Sequence, residues 1–302
     1  MSQQKITPNV WFNANAQEAV RFYTSVFPDS RVISIEYYPK TSEEGLADFQ
    51  EDLAGEILTI EFNLAGHNFV AINAGPEFKP TQAQSFMVNF DPSRDDKARE
   101  HLDQVWEKLM DGGTALMPLQ QYDFSERYGW VQDRYGYSWQ LILTNPEGEQ
   151  RPCIIPSLMF GGPVQNRAAE AIDYYTSVFK DSKKGMSYPY GQATGPASAK
   201  ALMFADFVLE NQWFTANDSG VEQEVTFNEA VSFSVACKDQ AEIDYYWDKL
   251  SKHSENEQCG WCKDQFGVSW QIVPANMDEL MKRPGAFKVM MNQKKIVIAD
   301  YR

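Results

Sequence analysis

Apolar positions along the chain switch between two periods, and the switches predict the elements. ITPNVWF (6–12) is short, apolar and strand-like. Over 15–27 the apolar residues Ala19, Val20, Tyr23, Val26 and Phe27 fall at i, i+1, i+4, i+7 and i+8, which is one face of a helix. SRVISIEYY (30–38) predicts the next strand, and the polar, acidic stretch 39–56 a loop with one short helix. ILTIEFNL (57–64) and HNFVAIN (67–73), joined by Ala-Gly, predict a hairpin. The order then restarts. QSFMVNF (84–90) is a strand, and 94–110 a helix with Ala98, Leu102, Val105, Trp106 and Leu109 inward. TALMPLQ (114–120), GWVQD (129–133) and YSWQLIL (137–143) are further strands.

The chain also contains itself. EAVRFYTSVFPDS (18–30) and EAIDYYTSVFKDS (170–182) are identical at nine of thirteen positions, at an offset of 152. GWVQDRYGYSWQ (129–140) and GWCKDQFGVSWQ (260–271) match at an offset of 131. The spacing predicts two copies of one domain, 1–148 and 152–302, with a tail over 283–302 and a Pro/Gly/Glu-rich linker near 144–152. Each copy reads as two βαβββ modules. In the last module only SKHSENEQC separates the helix from Gly260, so one strand there is expected to be short or missing.

Composition narrows the chemistry. The chain has 302 residues and a net charge of −15, which argues against a nucleic-acid partner and against an anionic membrane surface. No apolar run spans a bilayer, and MSQQKITPNV lacks the apolar core of a signal peptide, so a cytoplasmic protein with reduced thiols is expected. There are only three histidines, His67, His101 and His253.

The phrase EAVRFYTSVF, the strand phrase CGWCKDQFGVSWQIVP (259–274) and the tail FKVMMNQKKIVIADYR (287–302) resemble the PhnB-like branch of the vicinal oxygen chelate superfamily. That superfamily includes glyoxalase I, bleomycin-resistance proteins and extradiol dioxygenases. The branch carries the label 3-demethylubiquinone-9 3-methyltransferase. The resemblance implies an α+β fold of tandem glyoxalase-like domains. In each, two βαβββ modules form a cup-shaped mixed sheet with helices outside. It also implies a pseudo-dimer within one chain and a possible homodimer. Methyltransfer is disfavoured by the residues, because no G-x-G-x-x-G turn stands anywhere in the chain.

In metal-using relatives the ligands come from the first and last strands of each module. Spacing puts Pro8, Asn73, Ser85 and Gln140 at the cup-facing positions of the first half, and Pro156, Asn217, Ser232 and Gln271 in the second. None carries a carboxylate or imidazole, so no cofactor is expected. A divalent metal would require a different strand register, with Glu61, His67 or Glu36 reaching the cup. His67 reads as a turn or surface residue. Cys259 and Cys262 read as structural thiols, and Ser138 and Ser269 as structural hydroxyls. Trp130, Trp139, Trp261 and Trp270 read as packing residues, while Trp11 and Phe12 are expected to line the pocket. The expected function is binding of a small molecule in the cup. The alternatives are a metal-dependent enzyme of the glyoxalase or dioxygenase kind, and a fold in which only one half binds.

Overall fold

The computed structural model describes residues 4–224 and 226–302; the first three residues of the N-terminal segment read above lie outside it. The first module runs β1 (Ile6–Phe12), α1 (Ala16–Val26), β2 (Arg31–Tyr37), β3 (Ile57–Leu64) and β4 (His67–Asn73). The second runs β5 (Gln84–Phe90), α2 (Ala98–Met110), β6 (Thr114–Tyr122), β7 (Ser125–Gln132) and β8 (Ser138–Leu143). The third runs β9 (Ile154–Phe160), α3 (Ala168–Val178), β10 (Lys183–Pro189), β11 (Leu202–Leu209) and β12 (Gln212–Asp218). The fourth has β13 (Val231–Cys237), α4 (Gln240–Leu250), β14 (Trp261–Lys263) and β15 (Ser269–Pro274). Where the other modules place a strand straight after the helix, it has only a 3-10 turn and the Gln258–Trp261 bridge. Two short helices, α5 (Met277–Met281) and α6 (Ala286–Met291), follow. Among the described residues no helix is long and apolar enough to cross a membrane.

The α+β class and the tandem modules stand as read from the sequence. The sharing of sheets differs from the expectation that each half closes its own cup. One sheet has seven strands in the order β14-β15-β13-β1-β4-β3-β2, and the other eight in the order β10-β11-β12-β9-β5-β8-β7-β6. The first sheet therefore joins modules one and four, and the second joins modules two and three. The seams are antiparallel: β1 lies against β13 with Asn9 opposite Ser232, and β5 against β9 with Ser85 opposite Ser157. The reason is the edge. Within a half, β1 and β5 each leave one side without a partner, and an open strand edge is satisfied by the nearest strand of matching pattern.

One face of each sheet meets the helices and the other sheet. Phe69 and Phe86 touch across the sheets with ring centroids 5.1 Å apart, and Phe214 and Phe233 at 5.6 Å. Helix α1 lays its buried stripe Ala16, Ala19, Val20, Tyr23 and Val26 on this face, as the periodicity predicted. Asn73 fixes where α1 begins: its Oδ1 accepts from the backbone N–H of Ala16 at 3.0 Å. Asp218 does the same for Ala168 of α3 at 3.1 Å. The opposite faces of the two sheets are the cups.

Candidate functional site

Strand register sets what each cup presents, because successive side chains point to opposite faces. In the seven-stranded sheet one lateral row reads Ser34, Glu61, Val70, Asn9 and Ser232. The corresponding row of the eight-stranded sheet reads Asp206, Thr215, Ser157 and Ser85. A glutamine from the last strand closes each row. Nε2 of Gln271 donates to Ser232 Oγ at 2.9 Å, and Nε2 of Gln140 to Ser85 Oγ at 2.8 Å. Ser85, Gln140, Ser232 and Gln271 are thus brought together in two matching pairs. Asn217 lies on the cup side of β12, since Phe214 and Ala216 take the core side.

Four residues expected in the cups are not there. Pro8 and Phe12 belong to one set with Ile6 and Val10, and Pro8 sits opposite the core residue Phe233, so Asn9 takes the cup side. Pro156 lies opposite core Phe86, so Ser157 takes the cup side. Counting back from the helix missed by one residue, and in a strand one residue reverses the face. The signal that finds them is the alternation itself: Ile6, Pro8, Val10 and Phe12 form the apolar set, with Thr7, Asn9 and Trp11 between them. Asn73 is also on the core side, engaged by Ala16 N and donating to the carbonyl of Ile57 at 3.1 Å. His67 is not a surface histidine. It packs on Phe69 away from the cup, its Nε2 is buried without a partner among the described residues, and burial pushes its pKa down to about 4.

A cavity of about 1040 Å³ lies on the cup face of the seven-stranded sheet. Comparing the two rows shows why it is open. The eight-stranded sheet fills the same stations with Ile155 and Met87, 2% and 7% exposed, and with Tyr128. The seven-stranded sheet has Thr7 and Ser234 opposite each other there, and Cys259 where the repeat places Tyr128. Small residues in place of large ones leave room. Helices α5 and α6 then roof that room: Met277, Met281, Phe287 and Met290 line the cavity. Trp11 and Trp261 meet edge to face at 6.0 Å on its wall, so Trp261 lines the cavity rather than packing in the core. Trp139 and Trp270 are core residues, as expected.

Replacing Tyr128 by Cys259 has a polar consequence. The Tyr128 hydroxyl donates to Oε1 of Gln140 at 2.7 Å. No described residue donates to Oε1 of Gln271, which lines the cavity. Glu36 and Glu61 also reach this cavity, on the side of the sheet away from Gln271, with Asp278 on α5. Burial raises the pKa of Glu61, the charges of Asp278 and Glu36 raise it further, and the Ser34 hydroxyl at 3.2 Å opposes them. Glu229 on the rim is neutralised by Lys263 at 2.8 Å.

The metal chemistry of the superfamily needs charged or imidazole donors at the floor. Across the floor stand Asn9, Ser232 and Gln271, and in the other cup Ser157, Ser85 and Gln140. All are neutral, and the glutamine amide groups already donate to serine. Divalent cations of the first row are held by imidazole, carboxylate or thiolate. Among the described residues no group of three such side chains is placed to hold an ion. The floor residues do not fit the group.

The sequence model of the 3-demethylubiquinone-9 3-methyltransferase family matches residues 4–142 and 152–273. The chain belongs to that family, the PhnB-like branch of the vicinal oxygen chelate superfamily. Each of the two family segments contributes one module to each sheet. Among solved structures, a PhnB protein from Bacillus cereus is 36% identical, over 47% of this chain and 100% of that one, with a TM-score of 0.39. A protein from Staphylococcus aureus is 31% identical over 48% and 100%, with a TM-score of 0.19. Glyoxalase I from Zea mays covers 91% of this family member and 95% of its own length at 11% identity, with a TM-score of 0.53, a likeness of fold. A search of curated proteins finds no match.

Proposed function

We propose that the protein binds a small organic molecule in the cavity of the seven-stranded sheet, without a metal at the floor. The observation that carries this reading is the replacement of Ile155, Met87 and Tyr128 by Thr7, Ser234 and Cys259, which opens one of two otherwise matching cups. Apolar walls with a few convergent polar groups are the usual make-up of a small-molecule site. The second cup, filled by its own side chains, serves the fold. The family label names a methyltransferase, but no strand-to-helix turn in the βαβββ modules has the G-x-G-x-x-G spacing of a nucleotide-type cofactor site; Gly161-Gly162, between β9 and α3, lacks it.

Glu36 and Glu61 on the sheet, with Asp278 on α5, give a metal-dependent reading its acidic donors at this cavity. Metal analysis of freshly purified protein, paired with calorimetry of an aromatic probe with and without chelator, separates the two readings. Probe binding indifferent to chelator supports the proposal. A stoichiometric divalent ion that is lost in Glu61→Gln overturns it.

A further inference from the structure

The filled cup shows what its acidic station accepts. Asp206 and Glu61 hold the same place in their rows, each opposite the strand residue that pairs with the floor (Thr215 and Ser157; Val70 and Asn9). Asp206, 3% exposed, is occupied by the chain's own cation. Arg151, from the segment between the halves, places its guanidinium 2.8 Å from Asp206 Oδ2 and flat against Trp213, with the guanidinium carbon 3.7 Å from the ring centroid. Glu61 has no such partner: it forms no ion pair among the described residues. Lys282 stands the same eight residues beyond β15 that Arg151 stands beyond β8, and it lines the cavity. It too forms no ion pair among the described residues. Arg283 is turned aside, donating to the carbonyl of Tyr301. The open cup therefore keeps a carboxylate that is not ion-paired with the equivalent cation, Lys282, whereas the closed cup holds the two together.

Resting on the binding reading above, we propose that the open cup takes an organic cation: an ammonium or amidinium group held at Glu61, carried on an apolar or aromatic body that lies against Trp11 and Trp261. Glu61 and Trp11 are two strand spacings apart across the sheet and two residues apart along it, about 12 Å between their Cα atoms, a gap that a bicyclic amine and the two side chains span together. The free Oε1 of Gln271 is a second acceptor for a donor on the same ligand. The lid carboxylate Asp278 and Glu36 add to the field at Glu61. A charge-assisted hydrogen bond in a half-buried site is the interaction that separates a cation from its neutral analogue.

The test is calorimetry at neutral pH with two probes of one shape, 2-naphthylmethylammonium and 2-naphthalenemethanol. The unmodified protein is expected to bind the ammonium about tenfold more tightly or better. In Glu61→Gln the two probes are expected to bind within about twofold of each other, with the alcohol unchanged and the thermal midpoint retained. Equal affinity for both probes in the unmodified protein overturns the cation assignment and leaves the binding function standing. A preference that survives in Glu61→Gln also overturns it. If neither probe binds at millimolar concentration, the binding function and this inference fall together. The comparison in the unmodified protein does not depend on whether the variant folds.

Discussion

The hydroxyl of Tyr23 donates to Oδ2 of Asp133 at 2.8 Å, and that bond joins the two phrases that recur in the sequence. Tyr23 lies in the helix phrase and Asp133 in the strand phrase. Tyr175 and Asp264 repeat the contact at 2.7 Å. Each aspartate also accepts from the indole N–H of Trp139 or Trp270 at 2.9 Å, and its other oxygen takes two backbone N–H groups of its own turn. The bond ties the two modules of one half, which belong to different sheets. Asp264→Ala strips four buried donors of their acceptor and is expected to cost about 3 kcal/mol or more, against about 1 kcal/mol for Tyr175→Phe. Urea unfolding of the two variants measures both.

Arg151 and Asp206 form a buried pair, with side chains 10% and 3% exposed. Removing one partner leaves the other charge buried alone. Arg151→Ala is expected to destabilise by about 3–5 kcal/mol. Arg151→Ala with Asp206→Asn is expected to recover much of that loss. A double-mutant cycle by denaturant unfolding reads the coupling, and additive losses would show that the pair does not plug the cup as a unit.

If residue size decides which cup is open, the open cup can be closed. Thr7→Ile together with Ser234→Met copies Ile155 and Met87 into the seven-stranded sheet. Both positions face the cavity side of the strands, so the fold should survive. Affinity for the naphthyl probes is expected to fall at least about tenfold, the scale of a lost apolar contact surface. Calorimetry and a melting curve on the same sample check both parts.

His67 makes stability depend on pH. Its pKa in the folded chain is about 4, below its ordinary value, because burial disfavours the charged ring. The unfolded chain therefore binds the proton more readily between about pH 6.5 and 4. The His67 contribution is fully present above that window and is lost as the pH falls through it, by roughly 3 kcal/mol in all. His67→Gln, the residue the repeat has at position 212, is expected to flatten stability over this range. Unfolding curves at pH 7, 5.5 and 4 compare the slopes.

Much of the fold was legible locally. The apolar periodicity gave α1 its buried face, the alternation gave ILTIEFNL and HNFVAIN as strands, and the short fourth module was visible as missing length. The candidate site was legible only in part. Gln140, Gln271, Ser85 and Ser232 could be placed because their strands alternate clearly. Pro8 and Pro156 could not, because distance from a helix does not fix the phase of a strand, and a slip of one residue exchanges its faces. Asp206 and Arg151 were not singled out at all, since nothing local marks a carboxylate on one strand as the partner of a linker arginine.

The sequence by itself determined the modules: their number, their elements and their two-fold repetition, because helix and strand periods and turn residues are properties of neighbouring positions. The tertiary structure decided which modules share a sheet, which face of β1 and β9 looks into the cup, and which cup stays open. Those outcomes depend on pairings between segments more than a hundred residues apart and on volumes summed across facing strands. No short stretch of chain contains that information.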